Sequence, residues 1–234
     1  MQPIVAGDPD GVTQIELDLL EMASRAELMV TRAADALVSL DNDRADEVIA
    51  SDDKVDELDS RIEASCLDFL AKGSSDAGVD FIRVGTMLKI ATDVERVGDL
   101  AVEIARCAKQ IDRELGQSSH VDIHRLSAIA RSAFHLAVEA YVRKDLELVH
   151  RADEAEEAVD ALFQELQAQI HDHMRHRPDE VVALSFLLLG VNHLERIGDH
   201  AHNISSRVAY LLTGELRIHE PAAANGYNEP ANDL

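Results

Sequence analysis

The sequence predicts an all-α protein: a tandem repeat of two three-helix bundles, six long helices related by a pseudo-twofold. Three observations predict it. Hydrophobic residues make up 46% of the 234, yet aromatics are only 3% and Trp is absent, so the core is built from Ala, Leu, Val and Ile. With few Gly and Pro, such a composition favours helix over sheet. Apolar residues recur at spacings of three and four over runs of roughly 30 residues, rods about 45 Å long at 1.5 Å per residue. Finally, Glu95-Arg96-Val97-Gly98-Asp99 returns 100 residues later as Glu195-Arg196-Ile197-Gly198-Asp199, the mark of an internal duplication.

Taken in order, residues 1–12 hold Pro3, Gly7, Pro9 and Gly11 and read as an irregular lead-in. Thr13 with Glu16 fits a capping box that opens the first helix, which runs to about Leu40 with Leu17, Leu20, Ala23, Met29 and Ala33 near helical spacing. Asp41-Asn42-Asp43 is a turn, and its acids favour the start of the second helix. Val48, Val55, Leu58, Ile62 and Leu70 line that helix, and Gly73-Ser74-Ser75-Asp76 ends it. The third helix begins near Val79. Its Met87, Ala91, Val94, Gly98, Ala101 and Ala105 form a stripe of small residues suited to close packing. Leu115-Gly116-Gln117-Ser118-Ser119 is the central break, giving repeats at 13–116 and 117–219. The fourth helix runs from about Asp122 to Val142 and the fifth from about Lys144 to His176. Pro178, then Asp179 and Glu180, starts the sixth, and Thr213-Gly214 stops it. Residues 220–234 read as a disordered tail.

Charge narrows the partners. Asp plus Glu number 45 against 22 Lys plus Arg, a formal charge of −23. Nucleic acid requires a basic face to neutralise its phosphates, and an anionic membrane repels an acidic surface. Metal cations or a basic protein partner suit it better. Cys66 and Cys107 make no CxxC pair and read as free thiols in a reducing cytosol. The N-terminus lacks a basic region followed by an apolar run, and the longest apolar stretch, Val181 to Val191, is about 11 residues against the ~20 of a spanning helix. The expectation is a soluble, cytoplasmic protein.

The duplication brings acids with it. Glu95 and Asp99 stand at i and i+4 on one helical face, and so do Glu195 and Asp199. The second and fifth helices align at an offset of 104, pairing Asp52-Asp53-Lys54-Val55-Asp56-Glu57-Leu58 with Glu156-Glu157-Ala158-Val159-Asp160-Ala161-Leu162. Each unit therefore holds two acid pairs: Asp52/Asp56 with Glu95/Asp99, and Glu156/Asp160 with Glu195/Asp199. Chance alone gives about nine such pairs in a chain this acidic, most of them solvated faces, so one pair means little. Four pairs at matched places mean more. Facing acids repel unless something positive lies between them. Arg96 and Arg196 offer salt bridges; a carboxylate-held metal cluster is the other solution, since helical bundles hold iron or manganese in this way. Gly98 and Gly198 each cost about 1 kcal/mol in a helix relative to Ala, which points to a close helix contact compatible with either solution.

Two groups of histidines lie near the second motif or at a helix end. His193, His200 and His202 flank the second motif, where the first has Asp93, Leu100 and Val102, so they do not form a ligand set shared by both units. His171, His173 and His176 end the fifth helix and suit its dipole.

At these residues the sequence resembles the PhoU family of phosphate-signalling regulators. Leu194-Glu195-Arg196-Ile197-Gly198-Asp199-His200-Ala201-His202-Asn203-Ile204 looks like that family's hallmark helix, and Tyr210-Leu211-Leu212-Thr213-Gly214-Glu215 like its C-terminal ending. The resemblance covers about residues 13–219. It implies two three-helix bundles, each carrying a multinuclear transition-metal cluster of iron or zinc, in a cytoplasmic and often dimeric protein that is not an enzyme. It also implies restraint of phosphate uptake and of the phosphate-starvation response, through the ATPase subunit of the phosphate ABC transporter and a sensor histidine kinase. By position the metal ligands would be Asp52, Asp56, Glu95 and Asp99 in the first unit and Glu156, Asp160, Glu195 and Asp199 in the second. Asn203 matches the family pattern, while the first copy has Glu103. Two features depart from it: the basic, Pro-containing segment before the third helix is replaced by Lys72 to Val79 without Pro, and no His follows Asp99. The competing reading is a carboxylate-bridged di-metal oxidase of ferritin type. Such sites use Glu-x-x-His within helices, and here the repeated spacing is Glu-xxx-Asp.

Overall fold

The structure is a computed structural model that describes residues 9–72, 78–111 and 122–215. Among the described residues the chain forms six long helices: α1 (Pro9–Ser39), α2 (Asn42–Lys72), α3 (Gly78–Gln110), α4 (Ile123–Arg143), α5 (Leu146–His176) and α6 (Val181–Thr213). A short 3₁₀ turn, Pro178–Glu180, leads into α6. Helices α1, α2 and α3 pack on one another, and α4, α5 and α6 do the same. The two trios meet along α3 against α6 and α1 against α4, so the expected pair of three-helix bundles shares one continuous core.

Small side chains let these rods approach. Ala91, Ala101 and Ala105 of α3 are fully buried, as are Ala130, Ala133 and Ala137 of α4. Gly190 of α6 faces α1, where a Cβ would stand 2.6 Å from Leu37 Cδ2, so no larger residue fits without moving that leucine. The duplication extends to the turns. Leu40 (φ 52°) and Lys144 (φ 54°), equivalent at the offset of 104, both adopt the left-handed conformation that closes a helix. The N–H of Asp41 reaches Ala36 O at 3.2 Å, and that of Asp145 reaches Ala140 O at 3.2 Å. Each aspartate then caps the next helix: Asp41 Oδ1 accepts from the Arg44 N–H (3.1 Å) and Asp145 Oδ1 from the Glu147 N–H (2.9 Å).

Some boundaries differ from the sequence-based expectation. Helix α1 begins at Pro9, so 9–12 are helical rather than lead-in. Proline is preorganised for a first helical turn, and burial of Val12 and Ile15 holds the extra turn down, leaving Thr13 inside the helix instead of capping it. The fifth helix starts at Leu146 because Lys144 closes the fourth. The break at 115–119, the loop at 73–76 and the tail at 220–234 lie outside the described residues. Gly214 (φ 73°) ends α6 as expected, its N–H bonded to Tyr210 O at 2.8 Å.

The apolar run at the start of α6 does not stop at Val191. It continues on one face through Leu194, Ile197, Ala201 and Ile204, all buried, so Pro178–Thr213 is long and apolar enough to cross a membrane by length and composition alone. In the bundle that face is covered by α3, α4 and α5.

Candidate metal centre

Two glycines set the site. A Cβ at Gly98 would lie 3.2 Å from Val55 Cγ1 of α2, and one at Gly198 would lie 3.1 Å from Val159 Cγ1 of α5. Each valine is flanked by its helix's acid pair, and each glycine lies between the acids of its own pair. The glycine–valine contact therefore brings Asp52 and Asp56 over Glu95 and Asp99, and Glu156 and Asp160 over Glu195 and Asp199. The same point at Gly98 is 3.7 Å from Asp52 Oδ1.

The second unit concentrates its charge. One carboxylate oxygen from each of Glu156, Asp160 and Asp199 lies within 4.8 Å of the other two. Glu156 is only 8% exposed. Burial, then the charge of Asp160, pushes its carboxyl up to about 7, against the opposing pull of His202. Glu195 joins the same cluster: burial and the charges of Asp199 and Asp160 push it to about 7 as well. The four acids of this unit thus feel one another strongly.

The first unit is looser. Burial, then Asp56 and Asp99, raises Asp52 to about 6. Glu95 is raised by burial and by Asp99, with Arg96 opposing. Arg96 spans this pair, its Nη1 donating to Asp99 Oδ2 at 2.7 Å and its Nε lying 3.3 Å from Glu95 Oε2. The salt-bridge solution thus occurs in the first unit. Among the described residues, the second unit holds the one group of three or more acids, histidines or cysteines whose ligand atoms converge within 4.8 Å.

Sequence reasoning missed several neighbours. Asp153, three residues before Glu156 on α5, lies with Oδ1 3.2 Å from His202 Nδ1 and accepts from Ser205 Oγ at 2.5 Å. His202 Nε2 lies 3.3 Å from Ser206 Oγ. The Asp153 carboxylate lifts the imidazole above its usual range, and Glu156 and Asp199 add to it. The equivalents in the first unit are Ile49, Val102 and Ala105. Asp59, the first unit's own addition, faces Glu95 where the second has Phe163. The spacings Asp153/Glu156 and Asp56/Asp59 at i,i+3 were the available signals.

His200 and Asn203 serve a different purpose. Both reach Asp93 of α3, a buried carboxylate 5% exposed: His200 Nδ1 lies 3.0 Å from Oδ1, and Asn203 Nδ2 donates to Oδ1 at 3.4 Å. Arg207 Nε donates to Oδ2 at 2.9 Å. This clasp joins the two units. His176 bonds Asp172 O at 2.9 Å in the last turn of α5, a helix-end role.

The donor set fits a cation. Carboxyls raised to about 7 by partial burial and each other's charge, as Glu156 and Glu195 are, gain from a positive ion, and all-oxygen donors suit hard or borderline divalent metals. In class, this is a duplicated helical bundle whose two halves each fold acid pairs onto a glycine–valine seam.

The PhoU domain model matches residues 19–108 and 123–208, so the chain belongs to the PhoU family. It is 28% identical over 202 residues to the phosphate-specific transport system accessory protein PhoU homolog of Clostridium acetobutylicum, covering 86% of this chain and 92% of the relative. The homolog from Aquifex aeolicus is 29% identical over 208 residues, 89% of this chain and 94% of its own length. The crystal structure of PhoU from Pseudomonas aeruginosa superposes with a TM-score of 0.80 at 25% identity, over 88% of this chain and 99% of that one. The phosphate transport system regulatory protein PhoU from Streptococcus pneumoniae has the same fold, with a TM-score of 0.81 at 24% identity, over 89% and 98%.

Proposed function

We propose that this chain is a metal-binding regulator of phosphate uptake and phosphate-starvation signalling. Its family relatives are accessory proteins of phosphate-specific transport, and the chain is read as a regulator of that system rather than an enzyme. It acts from the cytoplasm, as a homodimer, on the ATPase subunit of a phosphate ABC transporter and on a sensor histidine kinase. The observation that carries the metal reading is the convergence of Glu156, Asp160 and Asp199 within 4.8 Å, on a motif the chain contains twice.

Asp52, Asp56, Glu95 and Asp99 hold metal in the first unit, and Glu156, Asp160, Glu195 and Asp199 in the second. The glycine–valine seam orients these acids. Iron or zinc is the expected metal, with the all-oxygen donor set favouring iron. When bound, the metal cancels the acids' repulsion and offers positions that a phosphate oxygen can take.

Metal analysis of the gently purified protein, beside Asp99→Ala with Asp199→Ala, tests this reading. The double variant should remain helical by circular dichroism and lose its metal. Deleting the gene should derepress phosphate uptake, and unchanged uptake at high phosphate would remove the physiological assignment.

A further inference from the structure

We propose that Asp153 and His202 are positioning residues of the second acidic site: a carboxylate–imidazole tie between α5 and α6 that holds Glu156 over Asp199 and so sets how well a cation is gripped there. This rests on the metal-binding reading above and adds to it two residues that lie outside the repeated acid motif.

The tie stands one turn from the acids on each helix. Asp153 precedes Glu156 by three residues on α5, and His202 follows Asp199 by three on α6, so each shares a helical face with the acid it adjoins. Across the gap, Asp153 Oδ1 lies 3.2 Å from His202 Nδ1 and accepts from Ser205 Oγ at 2.5 Å. Ser205 is fully buried. One carboxylate of α5 thus engages two side chains a turn apart on α6, and α5 cannot slide or roll there without parting from both. The ring is steadied from its other edge as well, where Nε2 lies 3.3 Å from Ser206 Oγ. The His202 and Asp153 side chains are only 20% and 23% exposed, so water screens this pair less than a surface one.

Neither residue belongs to the converging donor set. The oxygens that meet within 4.8 Å come from Glu156, Asp160 and Asp199. Asp153 and His202 therefore act through those acids, by fixing the two backbones that carry them. The internal repeat supplies a control, because the matching places in the first unit are Ile49 and Val102. Breaking the tie removes nothing that the first site has.

The test is Mn²⁺ titration of the full-length, chelator-stripped protein, with free ion counted by electron paramagnetic resonance. A background of Glu95→Gln with Asp99→Asn removes two acids of the first site and leaves the second to be read alone. Outer partners of metal sites are typically worth about 10- to 100-fold in affinity. His202→Leu and Asp153→Ala should each weaken Mn²⁺ binding within that range. Together they should cost no more than either alone, because they act as one unit. His202→Asn keeps an N–H where Nδ1 stands; it should recover most of the affinity and restore the Co²⁺ absorption spectrum that His202→Leu alters. Variants that melt earlier without metal yet bind Mn²⁺ unchanged overturn the proposal. Additive losses, or an asparagine no better than leucine, overturn it too, and in all these cases the metal reading stands. An unsubstituted, folded protein that binds neither Mn²⁺ nor Co²⁺ overturns both.

Discussion

The two halves of this molecule share a skeleton and differ in what surrounds their acids. Both close their first helix with a left-handed residue and an aspartate cap, at Leu40/Asp41 and Lys144/Asp145. Both seat a glycine of the third helix on a valine of the second, at 3.2 and 3.1 Å. Yet in one half an arginine lies across the acids, and in the other an Asp–His–Ser brace stands beside them. Duplication fixes the backbone and the inner acids. The surrounding side chains then diverge between the copies.

The comparison breaks most sharply where the halves meet. Asp93→Ala leaves Arg207 and His200 half-buried without their carboxylate, and removing one partner of a buried pair costs about 3 kcal/mol. Arg207 keeps partial solvent contact, so the expected loss in denaturant unfolding is about 2–3 kcal/mol, with both units affected together. Next comes the seam. Gly198→Leu forces side-chain atoms against Val159, a strain of about 1–3 kcal/mol; metal analysis should show the second site lost and the first kept. Gly98→Leu should do the reverse.

Acidity sharpens the contrast further. Glu156 and Glu195 are pushed up to about 7 in the folded chain, against an ordinary value of 4.5. A carboxyl raised by folding stabilises while protonated, so this contribution is whole below about pH 4.5 and is lost as the pH climbs through about 7. The metal-free protein should therefore lose stability over that window. Glu156→Gln with Glu195→Gln should flatten the slope more than Asp52→Asn, whose carboxyl reaches only about 6. Added metal should oppose the loss, since it binds the deprotonated acids; thermal melts at pH 5 and 7.5 read both effects. The smallest expected difference is in the turns. Lys144→Gly relieves a left-handed side chain at an exposed position and should stabilise by about 0.5–1 kcal/mol. Leu40→Gly relieves the same strain but exposes core around a leucine that is 9% accessible, so it should not stabilise.

Much of this was legible in the sequence because it follows from spacing. The helices, the repeat at offsets of 100 and 104, and the acids on facing stripes need only periodicity. The close contacts at Gly98 and Gly198 follow from the one residue without a Cβ. What escaped depends on side-chain direction across helices. The salt bridges of Arg96 did not escape, because Glu95 and Asp99 lie on its own helix. Asp93 looked like a residue in front of a motif, and its partners His200, Asn203 and Arg207 lie more than a hundred positions away. Asp153 and His202 meet because α5 and α6 cross there. The left-handed closures at Leu40 and Lys144 carried no glycine to announce them.

The grip of α6 on Asp93 has a consequence for how the chain can be taken apart. Neither half is a free-standing module: expressed alone, the N-terminal portion would present a bare carboxylate and a wet apolar back along α3. The C-terminal portion would present His200, Asn203 and Arg207 with nothing to hold. Fragments should recover native character on mixing rather than separately.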